Sequence, residues 1–323
     1  ESRIPCLVEN GIGRFNILHD AKGAGRAYNR AFAANPRLAR LLFERDQLWK
    51  RLGETPETRL RELRKHLDLV NSRDDLAIEY CALLNQAGHH EEARKIVSTR
   101  QFQPWEGGEG MVMGQHVRTH LRLGQDALAK GRAQQARQLF EFALASPYNL
   151  GEAKHLLANQ SDIFYWLGCA CEADGDKKTA GACWTAAAHF KGDFQAMSVR
   201  RFSEMTYYSA LSFERLGQKG QAQRLLRELL DYARQLRKAP AQIDYFATSL
   251  PTMLLFDDDL QFRQETAALF IEAQARLGLG ETAKAKRLLA QVLKRDPNHA
   301  LGQDLAKDAT CPPNSVGNHS RRR

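Results

Sequence analysis

The stretch Lys177–Ala188 reads KKTAGACWTAAA. It places two small residues, Ala180 and Ala187, on either side of the large ring of Trp184. A second apolar stretch containing Leu167-Gly168 lies twelve to thirteen residues before the first of these alanines. Where two antiparallel helices cross, a small residue lets the backbones approach and a large one fills the groove beside it. The pattern therefore predicts a tight helical hairpin in this part of the chain.

The same pattern of small and large residues recurs five more times, once in a weaker form. The copies are Ala24, Tyr28 and Ala31; Ala93 and Val97; Ala136, Phe140 and Ala143; Ala222, Leu226 and Leu229; and Ala285, Leu289 and Val292. This pattern is typical of the second helix of a tetratricopeptide repeat, and alternating strand patterns are almost absent. The sequence therefore predicts an all-α protein, a right-handed α-solenoid of about six to seven tetratricopeptide-type helical hairpins.

The spacing of the copies is irregular. Neighbouring copies in the middle of the chain lie 42 to 44 residues apart and the last lies 63 residues on, whereas the standard repeat has roughly 34 residues. We expect irregular insertions near 102–113, where the chain is rich in glycine, and near 239–262, where prolines flank one additional short helix. We predict that the solenoid spans 1–309 and that the polar, arginine-ended segment 310–323 is a disordered tail.

The charge and the cysteines exclude several classes of protein. The net charge is +9, but Arg321–Arg323 supply three of these charges and most other basic residues alternate with acids. This favours solvated helix faces over a nucleic-acid surface. No apolar run approaches the roughly 18 residues that cross a bilayer. The six cysteines form no C-x-x-C pair, which suits free thiols in a reducing compartment. We therefore expect a cytoplasmic protein, although the chain starts at Glu1, and a signal peptide lost with a missing N-terminus stays an alternative.

Three strings connect the chain to a known group of proteins. They are QPWEGGEG at Gln103–Gly110, DIFYWLG at Asp162–Gly168 and IDYFATSLP at Ile243–Pro251. With these strings the chain resembles the C-terminal tetratricopeptide-repeat half of large bacterial proteins that carry an N-terminal β-sandwich domain of unknown function. The resemblance covers nearly the whole chain up to about Ala306. It implies a bacterial, non-membrane protein linked to carbohydrate use, and it brings no catalytic residues.

The glycine-rich loop Trp105–Gly110 is the first candidate binding site. Its backbone can approach a ligand closely, Trp105 can stack on a sugar or another ring, and Glu106 and Glu109 can accept hydrogen bonds from hydroxyl groups. The alternative is a structural loop in which the tryptophan plugs the solenoid. In both cases we expect the loop to fold back onto the concave face, because exposing the indole ring would cost about 2 kcal/mol.

A second candidate site combines aromatic rings with isolated carboxylates. It comprises residues of first helices and of the second insertion, which we expect on the concave face of a solenoid. They are Tyr165, Trp166, Glu204, Tyr207, Tyr208, Asp244 and Tyr245, and our predicted binding residues among them are Tyr165, Glu204, Tyr207, Asp244 and Tyr245. Such a surface suits an extended peptide or a sugar. Adjacent residues of a helix point to different faces, so at least one ring of the Tyr165-Trp166 pair must lie in the core.

The sequence indicates no metal, cofactor or catalytic residues. His116 and His120 stand four residues apart, as zinc ligands on a helix can, but no third ligand lies at a suitable spacing. We expect them to be an ordinary pair on the surface or in the groove. No nucleophile is paired with a base at a recognisable spacing.

Three functions are compatible with these observations. The first is a scaffold whose concave groove binds a partner protein, a peptide or the missing N-terminal region of the same chain. The second is the accessory, substrate-contacting half of a carbohydrate-active enzyme. The third is an RNA-binding helical repeat, which the irregular spacing argues against because base reading needs side chains at regular positions. We favour the scaffold and predict no enzymatic activity for the chain by itself.

Overall fold

The computed structural model describes residues 3–195, 198–242 and 255–310. The first seven helices of these residues are α1 Arg3–Asn16, α2 Ala21–Ala34, α3 Ala39–Arg51, α4 Pro56–Arg64, α5 Leu67–Ser72, α6 Asp74–Gln86 and α7 His90–Thr99. The following nine are α8 Met111–Ala129, α9 Ala133–Leu144, α10 Ser161–Ala173, α11 Lys177–Ala188, α12 Thr206–Arg215, α13 Lys219–Lys238, α14 Leu260–Gly278, α15 Thr282–Arg295 and α16 Ala300–Thr310.

Six helical hairpins form the body of the molecule; the last five pack on one another in chain order, and α3, α4 and α5 lie between the first hairpin and the second. The six hairpins are α1–α2, α6–α7, α8–α9, α10–α11, α12–α13 and α14–α15. Each of the six alanines that open the repeated pattern lies in the second helix of a hairpin and is at most 1% exposed. The prediction of an all-α solenoid built from helical hairpins is therefore confirmed.

The crossings are as close as the sequence pattern requires. A Cβ atom built on Gly168 of α10 would lie 2.4 Å from Nε1 of Trp184 in α11. The same construction on Gly124 of α8 would place the atom 2.3 Å from Cε1 of Phe140 in α9. Side-chain carbons do not approach heavy atoms this closely, so only glycine lets the large ring of the second helix reach the first helix.

The irregular spacing arises in the connections between hairpins. Residues 100–110 between α7 and α8 are not helical, and α8 begins at Met111, inside the range 102–113 given for the first insertion. A second long connection follows α9 and contains the 3₁₀-helix Tyr148–Leu150. A small antiparallel hairpin of two strands, β1 Asp193–Gln195 and β2 Ser198–Arg200, follows α11. This hairpin was not predicted, because three-residue strands are too short to show an alternating pattern.

Two predictions fall largely outside the described residues. The second insertion lies between the end of α13 at Lys238 and the start of α14 at Leu260. Its predicted short helix and Ile243–Pro251 overlap the stretch 243–254, which is not described. The predicted tail is described only at Thr310, the last residue of α16.

The two ends of the array meet, so the solenoid closes on itself. Phe256, which precedes α14, packs edge-on against Phe15 of α1 and Tyr28 of α2, with ring centroids 5.3 and 5.6 Å apart. Farther along, Asn298 follows α15, and its backbone oxygen accepts a hydrogen bond of 2.8 Å from Nε2 of Gln86 in α6. The last hairpin therefore rests on helices from the first third of the chain.

A buried network of charged groups lies at this closure. Arg59 of α4 is 0% exposed. Its guanidinium donates to both carboxylate oxygens of Asp46 at 3.0 and 2.5 Å, to Glu79 at 2.6 Å and to the side-chain oxygen of Asn298 at 2.7 Å. Lys50 adds a second cation, 3.0 Å from Glu79. The two cations thus balance the two carboxylates. The hydrogen bond to the side chain of Asn298 connects this network with the C-terminal hairpin.

Replacement of Ala180 by Leu tests the crossing geometry. We expect the larger side chain to overpack the α10–α11 crossing and to lower the free energy of unfolding by about 1–3 kcal/mol. The measurement is chemical denaturation followed by circular dichroism. Ala186→Leu is the matched control, because this alanine lies on the same helix but is exposed. Equal stability of the two variants would refute the assigned crossing.

Replacement of Arg59 by Leu tests the closure. The variant leaves the carboxylates of Asp46 and Glu79 buried without their shared cation, and we expect a loss of about 3–5 kcal/mol in unfolding free energy. Arg61→Leu, on the exposed side of the same helix, is expected to change it by less than about 0.5 kcal/mol. A loss below about 1 kcal/mol for Arg59→Leu would show that the network does not hold the ends together.

Candidate functional site

The first helices of consecutive hairpins surround a cavity of about 880 Å³. Residues of α8, α10, α12 and α14 line it from the concave side of the array, and residues of α16 line it as well. The connection 151–160 and Phe194 of β1 complete the lining. The concave groove expected from the sequence is therefore present, but the last helix of the chain occupies part of it.

The glycine-rich loop borders this cavity. Trp105 is half-buried against the N-terminal core and lies over Gly108, where a Cβ atom would be 2.0 Å from the indole ring. Both oxygens of Glu152 accept hydrogen bonds of 2.7 Å, one from the backbone N–H of Gly110 and one from that of Met113. This carboxylate ties the loop to the start of α8. The tryptophan does not project into solvent, as expected, but it packs on the N-terminal core, and only Glu109 and Gly110 of the loop line the cavity.

Two ion pairs connect α8 with α16 at the cavity wall. Nε and Nη2 of Arg118 donate to the two carboxylate oxygens of Asp304 at 2.8 and 2.9 Å. One turn farther on, Nη1 of Arg122 donates to Asp308 at 2.9 Å. These pairs hold α16 in the groove, and each carboxylate neutralises one guanidinium.

Several buried polar atoms of the cavity-lining residues have no hydrogen-bond partner among the residues that the structure describes. Among the described residues, eight buried side-chain nitrogen or oxygen atoms lack a hydrogen bond, and five of these atoms belong to residues that line the cavity. The five are Nη1 of Arg118, Nε of Arg122, Oε1 of Gln125, Nε1 of Trp166 and Oε1 of Gln274. A buried unpaired polar group costs about 1–3 kcal/mol. The five residues belong to α8, α10 and α14, and these atoms are enclosed by the surrounding side chains.

Aromatic side chains supply the apolar part of the lining. Trp166, Tyr208 and Phe270 come from α10, α12 and α14 and face the cavity. Their sequence neighbours Tyr165 and Tyr207, which the sequence placed in the binding surface, are buried in the core at 4% and 7% exposure. Neighbouring residues of a helix lie about 100° apart, so one ring of each pair packs between hairpins and the other faces the cavity.

The remaining predicted residues lie in different places. Glu109 lines the cavity, whereas Glu106 of the same loop is exposed. Glu204 is half-buried, and its backbone oxygen accepts a hydrogen bond of 3.1 Å from Gln274. Asp244 and Tyr245 lie outside the described residues. A binding role for these residues stays a prediction.

Sequence reasoning missed the polar side chains of α8. Arg118, Arg122 and Gln125 stand four and three residues apart, which places them on one face of the helix. This face continues the line of Val117 and Leu121, so the two arginines stand among apolar neighbours. The available signal was two arginines at helical spacing within a stretch whose apolar residues face the core. Their partners Asp304 and Asp308 lie 186 residues farther along the chain, so the sequence alone does not reveal the ion pairs.

Two titratable groups of the lining have shifted pKa values. Burial raises the pKa of the Asp162 carboxyl to about 6, against the opposing effect of a hydrogen bond of 2.8 Å from the backbone N–H of Ile163. Burial also lowers the pKa of Lys154 to about 8. The lysine Nζ donates to the backbone oxygens of Ala143 and Ala145. The lining therefore changes its charge in the range around neutral pH.

The histidine pair lies neither on the surface nor in the groove, contrary to expectation. His116 and His120 are each 1% exposed, with ring centroids 4.4 Å apart. Nε2 of His116 lies 3.0 Å from the backbone oxygen of Phe142, and Nδ1 of His120 lies 2.7 Å from that of His116. Burial lowers both pKa values, that of His116 to about 4. Between α8 and α9 the two rings serve as packing groups with satisfied hydrogen bonds.

Within the described ranges, no three His, Cys, Asp or Glu side chains are grouped so as to hold a metal ion. The helices of the described part of the chain are also too short or too polar to cross a membrane.

Comparison with known proteins supports the repeat pattern in one hairpin. Residues 267–299 match the family model of the tetratricopeptide repeat, and this segment contains the end of α14 and all of α15. Among solved structures, the chain is similar to a tetratricopeptide repeat protein from Parabacteroides merdae ATCC 43184, with a TM-score of 0.48, 11% identity and coverage of 96% of this chain and 100% of that one. It is also similar to the TPR domain of P58(IPK), with a TM-score of 0.33, 15% identity and coverage of 99% and 100%.

Replacement of Asp162 by Asn tests the electrostatics of the cavity. The raised folded-state pKa means that Asp162 contributes stability below its unfolded value of 3.8 and that this contribution is lost as the pH rises through about 6. The free energy of unfolding of the Asn variant minus that of the parent protein should therefore increase by up to about 3 kcal/mol between pH 4 and pH 7. Urea denaturation of both proteins across this range measures the difference. A difference that does not change with pH would contradict the assigned shift.

Proposed function

We propose that this chain is a protein-interaction module without catalytic activity of its own. Its partner is a protein or peptide, and our first candidate is the N-terminal β-sandwich region that the sequence resemblance implies for the parent protein. The observation that carries this proposal is a patch of exposed apolar side chains beside the cavity. We define the rim patch as Leu156, Leu157 and Val199.

The rim patch is unusually exposed for its chemistry. Leu156 is 98% exposed, and Leu157 and Val199 are each 58% exposed. The backbone N–H of Phe194, which pairs with Val199 across the β-hairpin, donates to the backbone oxygen of Leu157 at 3.2 Å. The two segments are therefore adjacent. Contiguous apolar side chains in water are typical of protein-binding surfaces.

The rim patch lies at the edge of the cavity on the concave face. His155 precedes the two leucines, lines the cavity and stacks on Phe194 with ring centroids 3.7 Å apart. Because α16 already occupies part of the groove, a partner docking on the rim patch is well placed to extend a segment toward the cavity. Glu106, Glu109, Asp244 and Tyr245 stay candidate contacts for such a partner.

A second candidate function is the accessory, substrate-contacting half of a carbohydrate-active enzyme. The observation that favours it is the cavity itself, with the aromatic side chains of Trp166 and Tyr208 in its lining. In this case the catalytic groups would belong to another region of the parent protein, and this chain would contribute binding alone.

The double variant Leu156→Ser, Leu157→Ser tests the interaction module. We expect its affinity for the separately expressed N-terminal region to fall at least about tenfold, since apolar anchors dominate the binding energy of protein interfaces. Calorimetric titration measures the dissociation constant. The melting temperature should stay unchanged, because both side chains are already in water in the free chain.

The matched control is Ile17→Ser, Leu18→Ser. These residues are also exposed and apolar, at 76% and 66%, but they lie in the turn between α1 and α2. Their replacement should leave the affinity unchanged. Equal affinities of the rim variant and the parent chain would remove the rim patch from the proposal.

A further inference from the structure

The positive charge of the chain is concentrated on the second helices of the last two hairpins. α13 carries six basic and two acidic residues, and α15 carries five basic and no acidic residues. Their combined net charge of +9 equals the formal net charge of the whole sequence. The first helices of the last four hairpins, α8, α10, α12 and α14, together carry a net charge of −1. The fold therefore separates the charges by side.

One row of basic residues runs along α13. Opposite the buried stripe of this helix lie exposed residues that stand three, seven and four positions apart, namely Arg224, Arg227, Arg234 and Lys238. The first and the last are about 21 Å apart along the helix axis. Asp231 stands in the same row and pairs with Arg234 at 3.4 Å. The other three cations of the row form no ion pair with a residue that the structure describes.

A second row lies on α15. Arg287 and Lys294 are exposed and stand two helical turns apart, opposite the buried stripe of this helix, and Lys286 is exposed beside them. The two remaining basic residues of α15, Lys284 and Arg295, pair with glutamates at 3.0 and 2.9 Å. Arg287, Lys294 and Lys286 have no such partner in the described part of the chain.

The two rows lie on the outer side of the array. α13 and α15 both pack on α14, and as second helices of consecutive hairpins they occupy equivalent positions. None of the described residues that line the cavity belongs to either helix. Arg201 extends the first row, because its Nη2 lies 3.3 Å from Oε2 of Glu228 on α13. We define the basic face as Arg200, Arg201, Arg224, Arg227, Lys238, Lys286, Arg287 and Lys294.

The chemistry of the basic face argues against three classes of partner. No exposed large hydrophobic side chain belongs to α13 or α15, whereas protein interfaces and peripheral membrane helices rely on apolar side chains as anchors. Sites for single-stranded nucleic acid stack bases on aromatic rings. The ring of Tyr232 on α13 is half-buried and packs on Phe202, with centroids 5.3 Å apart. The face therefore suits a ligand that offers regularly spaced negative charges.

The presence of two rows indicates which polyanion fits. A single charged strand can follow one row at a time, whereas a duplex carries two charged backbones side by side. Double-stranded nucleic acid has one negative charge per roughly 1.7 Å of its axis. Arginine and lysine contact its phosphate oxygens without reading the sequence. DNA and RNA duplexes share this chemistry.

We propose that the basic face binds the phosphate backbones of a double-stranded nucleic acid without sequence specificity. The alternation of bases and acids along the sequence favoured solvated helix faces, but the structure collects unpaired cations from two helices on one side. This inference goes beyond the proposed protein interaction, and it uses neither the rim patch nor the cavity.

Fluorescence anisotropy with labelled DNA and RNA duplexes of about 20 base pairs tests the proposal. We expect saturable binding of at least one duplex, and the tighter of the two identifies the natural ligand. The logarithm of the association constant should fall with the logarithm of the salt concentration, with a slope of roughly −4 to −6 for five to seven phosphate contacts. Absence of binding at about 50 mM salt, or equally tight binding of a single strand or of polyglutamate, would overturn the proposal.

Variants assign the binding to the two rows. Arg224→Glu, Arg227→Glu and, independently, Arg287→Glu, Lys294→Glu each remove two phosphate contacts from one row. Each double variant should weaken duplex binding at least tenfold and reduce the salt slope by about two. All four side chains are exposed, so the helical circular-dichroism spectrum should be retained. If both variants bind the duplex as the parent chain does, the proposal is wrong.

The matched control is Arg26→Glu, Arg30→Glu. These arginines are also exposed, and they lie on α2, the second helix of the first hairpin. The change in net charge is the same, but binding should weaken less than about threefold. A loss equal to that of the row variants would show that only the net charge of the protein matters, which would overturn the proposal. The rim variant Leu156→Ser, Leu157→Ser should bind the duplex normally, so a failure of the protein interaction and a failure of the basic face give different results.

Discussion

The contact between Arg59 and Asn298 determines the shape of the molecule. A guanidinium with no exposure to water is stable only if every surrounding group is arranged to receive it, and here the groups come from α3, α6 and the turn after α15. Hairpin packing alone would give an open superhelix, because each hairpin touches only its neighbours. This network supplies an interaction that joins the last hairpin to the first third of the chain.

The cavity is a consequence of that closure. With the ends joined, α16 is brought over the concave face, where Asp304 and Asp308 meet the arginines of α8. A surface that would be an open groove becomes a lined cavity with limited access. The arginines that hold α16 in place are therefore also part of the cavity wall.

Sequence patterns predicted the local part of this structure and not the part that depends on distant contacts. The hairpins were predictable, because Gly168 and Trp184 lie 16 residues apart and reflect a packing rule between adjacent helices. The choice between Tyr165 and Trp166 was not, since either ring fits the core and only the rotation of α10 decides which one enters it. The closure was not predictable either: Arg59 reads as a surface residue until its partners on other helices are known.

Joining the ends also changes how such an array gains and loses its structure. An open repeat array can melt from either end, one unit after another, because contacts are local. Here Arg59 and Asn298 are separated by 239 positions, so the last hairpin cannot detach without breaking contacts with the first third of the chain. Closing such a long loop lowers the entropy of the chain before these contacts form. The distant contacts also raise the contact order, so we expect slower folding than for an open array. We therefore expect the array to unfold more cooperatively than an open one, with less fraying at its ends.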